Sequence, residues 1–395
     1  MLRRLPRFRY AVLLLAPVLA ASGWIAAQSD SDAATRSVLF LPVAQRDVLF
    51  REMEKHNAHA VIRAGGKVHQ LPQGAPIHVS VNMPEYFLAQ RVAGMMVLHK
   101  GKIRLEHYAL GFDAKSRWTS FSVAKSFTST LTGAAVRDGY IKSLDDKVTT
   151  YIPDLKNSAY DGVTVRQLLT MTSGVKWNED YGDPKSDVAR FLLTKPDPGV
   201  NVTVSYLRRL PRANPPGSKW LYSTAETNLI GILVSKATGR KLGEYLSEKI
   251  WKPYGMEQDA VWLLDSTGDE ISGCCISATL RDYARFGQFV LDGGKVRGRS
   301  ILPKDWLAQA ATKQADMGAP GRGYGYQWWT NDDGSFQGQG IFGQSLFLDP
   351  KRGLVVATVG NWPTAVDRTV RQPARAAFFK EVQAAIDAQS GRHLR

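Results

Sequence analysis

A serine and a lysine stand three residues apart in Ser122-Val-Ala-Lys125. On a helix, residues at this spacing share a face, so the hydroxyl and the amine can meet. A hydroxyl held against an amine is a nucleophile with its base, provided that the pKa of the amine falls far enough for it to accept a proton near neutrality. The same pattern recurs in Ser173-Gly-Val-Lys176, so the surrounding sequence has to decide between the two.

The elements around each serine separate the two pairs. Apolar residues recur at helical spacing after Ser122, and Gly139 stands where a C-terminal cap belongs, which predicts a helix over 122–138. A helix N-terminus favours negative charge and so assists an alkoxide and an oxyanion. Ser173 instead follows a predicted helix over 164–172, so Lys176 need not return to its face. The structural alternative for Ser122 is an N-cap serine beside a solvated lysine.

The histidines restrict which bases can serve a serine. None lies between residue 122 and residue 392, which nearly excludes a Ser, Asp, His order of catalytic residues. No G-x-S-x-G or H-E-x-x-H motif occurs, and the one close pair, His56-x-x-His59, is interpreted as solvated helix residues rather than a metal site. If the protein is a hydrolase, lysine or tyrosine must move the protons.

Strand patterns stand at both ends of the chain around a mostly helical middle. Two runs around Gly101 form a hairpin signal, and later strands are predicted over 324–330, 345–349 and 354–360. This order predicts an α/β (α+β) protein in which an antiparallel sheet, flanked by helices, receives an inserted mostly helical domain.

Several motifs in order resemble the serine β-lactamase-like superfamily, most of all the branch of class C β-lactamases, related esterases and 6-aminohexanoate-dimer hydrolases. The resemblance runs from about Ala93 to the C-terminus and implies a β-lactamase/transpeptidase-like fold, in agreement with the predicted order of strands and helices. It rests on Thr119-Ser-Phe-Ser-Val-Ala-Lys-Ser-Phe127, Leu168-Leu-Thr-Met-Thr-Ser-Gly174, Tyr222-Ser-Thr224, Asn228-Leu-Ile-Gly231 and Trp251-Lys-Pro-Tyr-Gly-Met256.

The resemblance implies a role for each matching residue. Ser122 is the acylated nucleophile and Lys125 its proton acceptor, while Tyr222 relays a proton to the leaving group and later activates water. A lysine ammonium beside this phenol is expected to lower the pKa of Tyr222. Thr224 occupies a position where relatives carry Asn, which argues against recognition of a β-lactam amide. Tyr181 matches a loop tyrosine that meets the substrate amide in the oligomer hydrolases, although an ordinary loop aromatic is an equal alternative.

A third family element is a Lys-Thr-Gly strand, represented here by Gly338-Gln-Gly-Ile-Phe-Gly343. Gly338 takes the place of the lysine, which argues against a dedicated β-lactamase. The resemblance implies that the N–H groups of Ile341 and Ser122 form the oxyanion hole, and Gly340 lets a substrate approach the strand backbone. The run also matches the dinucleotide motif G-x-G-x-x-G, but it leads into a strand and not a helix.

The first 28 residues read as a signal peptide or an N-terminal anchor, because four arginines precede an apolar run and a stretch of small residues. The expected location is therefore exported, periplasmic or extracellular, or anchored to the inner membrane, with membrane association through this segment. Residues 29–90 are predicted to be a linker and N-terminal extension, and 91–395 the hydrolase domain. Within that domain the sheet comes from 91–120 and 320–395, and the helical subdomain from about 140–265.

Charge and cysteine usage limit the partners. The net charge of +15 is scattered, without a Lys/Arg block and interleaved aromatics, so a nucleic-acid partner is not expected. The only cysteines, Cys274 and Cys275, are neighbours, which rarely form a structural disulfide.

The sequence thus predicts an exported serine hydrolase that cleaves a small amide or ester through an acyl-enzyme, without a metal or organic cofactor. The alternatives are a catalytically silent protein that binds an envelope ligand on the same scaffold, and a D-amino-acid peptidase or β-lactamase.

Overall fold

The computed structural model describes residues 38–392. Its strands form two larger antiparallel sheets and one short hairpin. In chain order the strands are β1 His59–Ile62, β2 Val92–His99, β3 Lys102–Tyr108, β4 Trp118–Thr119, β5 Ala260–Leu263, β6 Ile276–Ala278, β7 Lys295–Val296, β8 Arg299–Ser300, β9 Arg322–Tyr324, β10 Trp329–Asn331, β11 Phe336–Gln339, β12 Ser345–Asp349 and β13 Leu354–Gly360.

Helices make up most of the middle of the chain and its C-terminal end. The α-helices are α1 Val43–Leu49, α2 Met53–His56, α3 Met83–Ala89, α4 Ala124–Arg137, α5 Val148–Tyr151, α6 Val165–Leu169, α7 Asp187–Arg190, α8 Val202–Leu207, α9 Thr224–Thr238, α10 Leu242–Leu246, α11 Lys252–Tyr254, α12 Leu280–Leu291, α13 Trp306–Ala310 and α14 Arg371–Arg392. Short 3₁₀ segments cover Phe121–Val123, Pro153–Leu155 and Ile341–Gly343, and a π-helical turn covers Ser247–Trp251.

A seven-stranded sheet with the order β3-β2-β13-β12-β11-β10-β9 forms the centre of the fold. Alternate residues of its strands face opposite sides, and α12 covers one face while α14 covers the other. Two strands of this sheet precede the helical middle of the chain and five follow it. The structure therefore confirms an antiparallel sheet flanked by helices with an inserted, mostly helical domain.

Helix α4 is buried along most of its length, over residues 124–135. Phe127 stacks on Phe286 of α12 with ring centroids 3.6 Å apart. Thr128 donates to the Ser272 carbonyl at 2.8 Å, whereas the buried Ser129 hydroxyl has no hydrogen-bond partner within the described residues. A helix enclosed on all sides holds its first turn in one position, because any shift would disturb close packing.

The segment 38–90, predicted to be a linker and extension, packs onto the rest of the chain. Strand β1 pairs with β5 along its full length. Arg46 is buried and donates to Asn361 at 3.0 Å, near the end of the central sheet. Phe50 is fully buried and meets the Phe121 ring edge-on at 4.9 Å. This segment therefore supports the turn that carries the candidate nucleophile.

Three local predictions differ from the structure. The helix predicted over 122–138 begins as a 3₁₀ turn before α4. The strand predicted over 324–330 is two strands, β9 and β10, because the chain reverses between them with Gln327 at φ +62°. Cys274 and Cys275, expected to stay unpaired, are joined by a disulfide.

The predicted leader, residues 1–28, lies outside the residues that the structure describes. Within residues 38–392, no helix has both the length and the apolar character needed to cross a bilayer.

Candidate active site

The candidate nucleophile lies on a short, tightly packed turn. Ser122 is the middle residue of the 3₁₀ segment that runs directly into α4. Phe121 adopts φ +41°, a left-handed conformation that costs a non-glycine residue about 1–3 kcal/mol. Its ring packs against Phe50, and against Phe342 with centroids 5.4 Å apart. Packing therefore holds a strained backbone in place directly before Ser122.

Lys125, on the first turn of α4, meets three oxygen atoms. Its Nζ lies 3.1 Å from Ser122 Oγ, 3.0 Å from Thr224 Oγ1 and 2.6 Å from the Gly273 carbonyl oxygen. A neutral amine has two protons to donate and one lone pair. Donation to Thr224 and Gly273 leaves the lone pair for the hydroxyl proton of Ser122.

The charge state of Lys125 follows from its surroundings. The side chain is buried, with a residue exposure of 2%. Burial lowers the pKa of Lys125 to about 7, and the negative charge of Glu179 acts in the opposite direction. Near neutral pH a substantial fraction of the amine is therefore unprotonated and able to act as a base.

Tyr222 lies beside this pair, as predicted, with its ring centroid 5.2 Å from Lys125 Nζ. The expected lowering of its pKa is wrong. Burial raises the pKa of Tyr222 strongly, Glu179 raises it further, and a hydrogen bond with Ser122 opposes them. Because the phenol keeps its proton at neutral pH, it is suited to donate a proton rather than to act as a phenolate.

Glu179 connects the groups of the site and was missed from the sequence. Its carboxylate accepts from the Thr224 backbone N–H at 2.9 Å, from the Tyr181 hydroxyl at 2.6 Å, and from the Thr224 hydroxyl and the Trp177 indole. Thr224 is the first residue of α9, so the carboxylate also lies at a helix N-terminus. The Thr224 hydroxyl thus links Lys125 to Glu179.

Tyr181 is accordingly part of the site, but it is held by Glu179. Burial raises its pKa well above the ordinary value, and the charge of Glu179 adds to this. The only sequence signal for Glu179 is its position two residues before Tyr181 in a loop. Nothing in that spacing indicates the contact with Thr224, because the loop and α9 meet only through tertiary folding.

The two residues predicted to form the oxyanion hole lie in 3₁₀ turns that pack together. Ile341 begins the 3₁₀ turn at the end of β11. A Cβ on Gly340 would lie 2.6 Å from the Ser120 carbonyl oxygen, so the strand end lies against the nucleophile's turn. The absence of a side chain at Gly340 therefore lets the end of β11 lie close to the Ser120 backbone, whereas the sequence predicted the approach of a substrate there. Both amides lie in the first turn of a helical segment, where N–H groups have no acceptor within the helix, so their role toward an oxyanion stays a prediction.

The residue at the lysine position of the third motif, Gly338, faces α4. A Cβ there would lie 2.9 Å from Ser126 Oγ. The G-x-G-x-x-G match leads through the 3₁₀ turn into strand β12, as expected, and not into a helix.

The second serine and lysine pair is not brought together. Ser173 is buried and donates to the carboxyl group of Glu226, whose pKa burial raises to about 8. Lys176 is exposed, and its backbone N–H donates to the Pro211 carbonyl at 2.9 Å. Position in the fold thus separates two identical motifs. Across residues 38–392, no group of three or more His, Cys, Asp or Glu residues is placed to hold a metal ion.

Sequence comparison identifies relatives over most of the chain. The family model described as Beta-lactamase matches residues 80–379. The 6-aminohexanoate-dimer hydrolase of Paenarthrobacter ureafaciens is 33% identical over 284 residues, which cover 68% of this chain and 72% of that protein.

Solved structures share the fold. A proposed 6-aminohexanoate-dimer hydrolase from Bacillus anthracis superposes with a TM-score of 0.77 and 24% identity, over 87% of this chain and 94% of that one. A D-stereospecific amidohydrolase from Streptomyces sp. gives a TM-score of 0.55 and 24% identity, over 73% and 94% of the two chains. A class C β-lactamase gives a TM-score of 0.56 with 17% identity, over 76% and 93%.

Proposed function

The chain belongs to the Beta-lactamase family of serine hydrolases, and from that premise we propose that it cleaves an amide or ester through a covalent acyl-enzyme on Ser122. The observation that carries the proposal is the buried amine of Lys125, with a pKa of about 7 and its Nζ 3.1 Å from Ser122 Oγ. A serine hydroxyl is a weak nucleophile unless a base lies within hydrogen-bond reach. The buried amine meets that need without a histidine.

In the proposed acylation step, neutral Lys125 accepts the hydroxyl proton while Ser122 Oγ bonds to the carbonyl carbon. The N–H groups of Ser122 and Ile341 stabilise the oxyanion. As the bond to the leaving amine or alcohol breaks, Tyr222 protonates that group and regains a proton from the Lys125 ammonium. Water then attacks the acyl ester and gives a proton to neutral Lys125. As the acid leaves, the Lys125 ammonium returns that proton to Ser122 Oγ.

We further propose a linear amide as the substrate class. The relative that is 33% identical is named for hydrolysis of the 6-aminohexanoate dimer, a linear amide. Gly338 offers no cation at the position where β-lactam-recognising relatives carry one. The Thr224 side chain is engaged by Lys125 and Glu179, which leaves it poorly placed to bind a β-lactam amide.

Active-site labelling tests the nucleophile. A fluorophosphonate should add one adduct to Ser122, found by mass spectrometry of peptides, and the Ser122→Ala protein should lack it. Ser173→Ala is the matched control, because it removes the serine of the other motif and should label fully. Labelling at Ser173, or no labelling, contradicts the proposal. Turnover of the 6-aminohexanoate dimer, p-nitrophenyl esters and β-lactams then defines the substrate, and binding without turnover would favour a silent binding protein.

We also infer export, which the arginines and the apolar run of residues 1–28 support. Fractionation of cells that produce the full chain should place the protein outside the cytoplasm or in the membrane fraction. Replacing residues 1–28 with a lone Met should retain it in the cytoplasm.

A further inference from the structure

A cavity lies behind β11, the strand that leads into the 3₁₀ turn beginning at Ile341. It has a volume of about 320 Å³ and lies between β11 and α14. Because Gly338 faces α4, the alternating residues Gln337 and Gln339 face the other side of the sheet and line this cavity. Its walls also carry Arg322 and Arg375.

Arg375 is a buried cation without a carboxylate partner. Its residue exposure is 5%, and its guanidinium donates at 3.3 Å to Gln339 Oε1 and to the Gly343 carbonyl. It also stacks over the Trp362 ring at 4.8 Å. Burial, with a smaller contribution from the nearby charge of Arg322, lowers the pKa of Arg375 to about 10. Arg285, which is equally buried, is by contrast paired with two carboxylates.

Arg322 is a second cation facing the same cavity. Within residues 38–392 its side chain forms no hydrogen bond or ion pair, and its guanidinium lies 5.7 Å from the centre of the Trp329 ring. The other charged groups on the wall are Asp333, which pairs with Lys380, and the exposed Asp332. Two adjacent guanidinium groups without a counter-ion repel each other unless an anion joins them.

The Trp329 ring separates the arginine wall of the cavity from Tyr222. The Trp329 ring contacts Arg322 on one side and Tyr222 on the other, where the ring centroids are 5.3 Å apart. Strand β10 pairs with β11 only at Phe336 and Gln337, which leaves the edge of the following residues open. This edge lies between the two sites, because Gly340 contacts the turn that holds Ser122 while Gln339 lines the cavity.

We propose that Arg322 and Arg375 bind a carboxylate of the substrate while its amide or ester lies at Ser122. This inference rests on the proposed function and narrows the substrate class to an anionic linear amide. Gln339, whose side chain lines the cavity, stands two residues before Ile341. Two strand residues and the length of that side chain together span on the order of 10 Å, which we take as the distance from the Ile341 amide to the cavity. A chain of about eight bonds spans that length. The carboxylate of a 6-aminohexanoate leaving group fits this spacing.

Calorimetric titration of the Ser122→Ala protein tests the proposal without requiring turnover. The probes are 6-acetamidohexanoate, its neutral analogue 6-acetamidohexanamide, and the shorter anion 3-acetamidopropanoate. The long anion should bind at least tenfold more tightly than the other two, and the preference should weaken with added salt. Arg322→Met in the same background should abolish the preference, and Arg322→Lys should restore part of it. Arg297→Met, an exposed arginine with the same charge change, should retain it.

Equal affinity for anion and amide, absence of anion binding, or a preference that survives Arg322→Met overturns the inference. Thermal unfolding of each variant verifies that it is folded before titration. Fluorophosphonate labelling of the wild-type protein reports on Ser122 separately, because that probe carries no carboxylate. A failed labelling experiment would therefore refute the serine mechanism, while the titration decides the anion site.

Discussion

Lys125→Met should make the protein inactive but more stable near neutral pH. Holding the pKa of Lys125 at about 7, against its ordinary value of 10.5, destabilises the folded state by about 5 kcal/mol at pH 7 and below. Methionine has a similar length and carries no charge, so it removes this penalty. It also leaves the Gly273 carbonyl and the Thr224 hydroxyl without their donor, which costs about 1–3 kcal/mol at every pH.

The sign of the pH dependence follows from proton binding. Between pH 7 and 10.5 the unfolded chain binds more protons at Lys125 than the folded chain, so wild-type stability rises with pH in this window. The advantage of Lys125→Met is therefore greatest at pH 7 and below, about 2–4 kcal/mol after the lost hydrogen bonds. It should shrink by about 3 kcal/mol by pH 9 and so nearly vanish.

Urea unfolding at pH 6, 7, 8 and 9, followed by tryptophan fluorescence, measures this difference. Lys176→Met is the matched control, because it removes an exposed lysine from the other Ser-x-x-Lys motif and should change stability by less than about 0.5 kcal/mol at each pH. Parallel stability curves for wild type and Lys125→Met across this range would refute the idea that burial holds Lys125 near neutrality. Activity of Lys125→Met should fall by about 10²–10⁴-fold.

Three further predictions concern the neighbours of this pair. Glu179→Gln removes a negative charge that raises the pKa of Lys125, so the acid limb of the pH profile of kcat/KM should move to lower pH. Asp180→Asn, which changes an exposed neighbour, should leave that limb in place, and a shift to higher pH in Glu179→Gln would contradict the role of Lys125 as the base. Gly340→Ala places a methyl group 2.6 Å from the Ser120 carbonyl oxygen and should lower the free energy of unfolding in urea by about 1–3 kcal/mol. It should also lower kcat. If neither quantity changes, the end of the strand can move away from Ser120. Tyr222→Phe should slow amide hydrolysis about 10²–10⁴-fold but slow p-nitrophenyl ester hydrolysis much less, because p-nitrophenolate leaves without a proton. Equal losses of activity on the two substrates would argue against Tyr222 as the proton donor.

Much of the fold could be predicted because its signals are local. Thr164 caps α6 and forms a capping box with Gln167, and Gly239 ends α9 in the left-handed conformation. The strand and helix order led to the correct layer arrangement. The packing of residues 38–90 onto the rest of the chain was not predicted. Strand β1 finds its partner about 200 residues later, and no local pattern specifies so distant a pairing.

The sequence by itself determined the nucleophile and base as candidates, because three-residue spacing on a helix is a local property and the missing histidines excluded the common relay. It could not determine their electrostatics. The pKa of Lys125 depends on burial by residues from several segments, and its coupling to Glu179 passes through Thr224 at the start of another helix. Desolvation and hydrogen bonding between segments distant in sequence exist only once the chain has folded, so the tertiary structure alone decided the charge state of Lys125 and its link to Glu179.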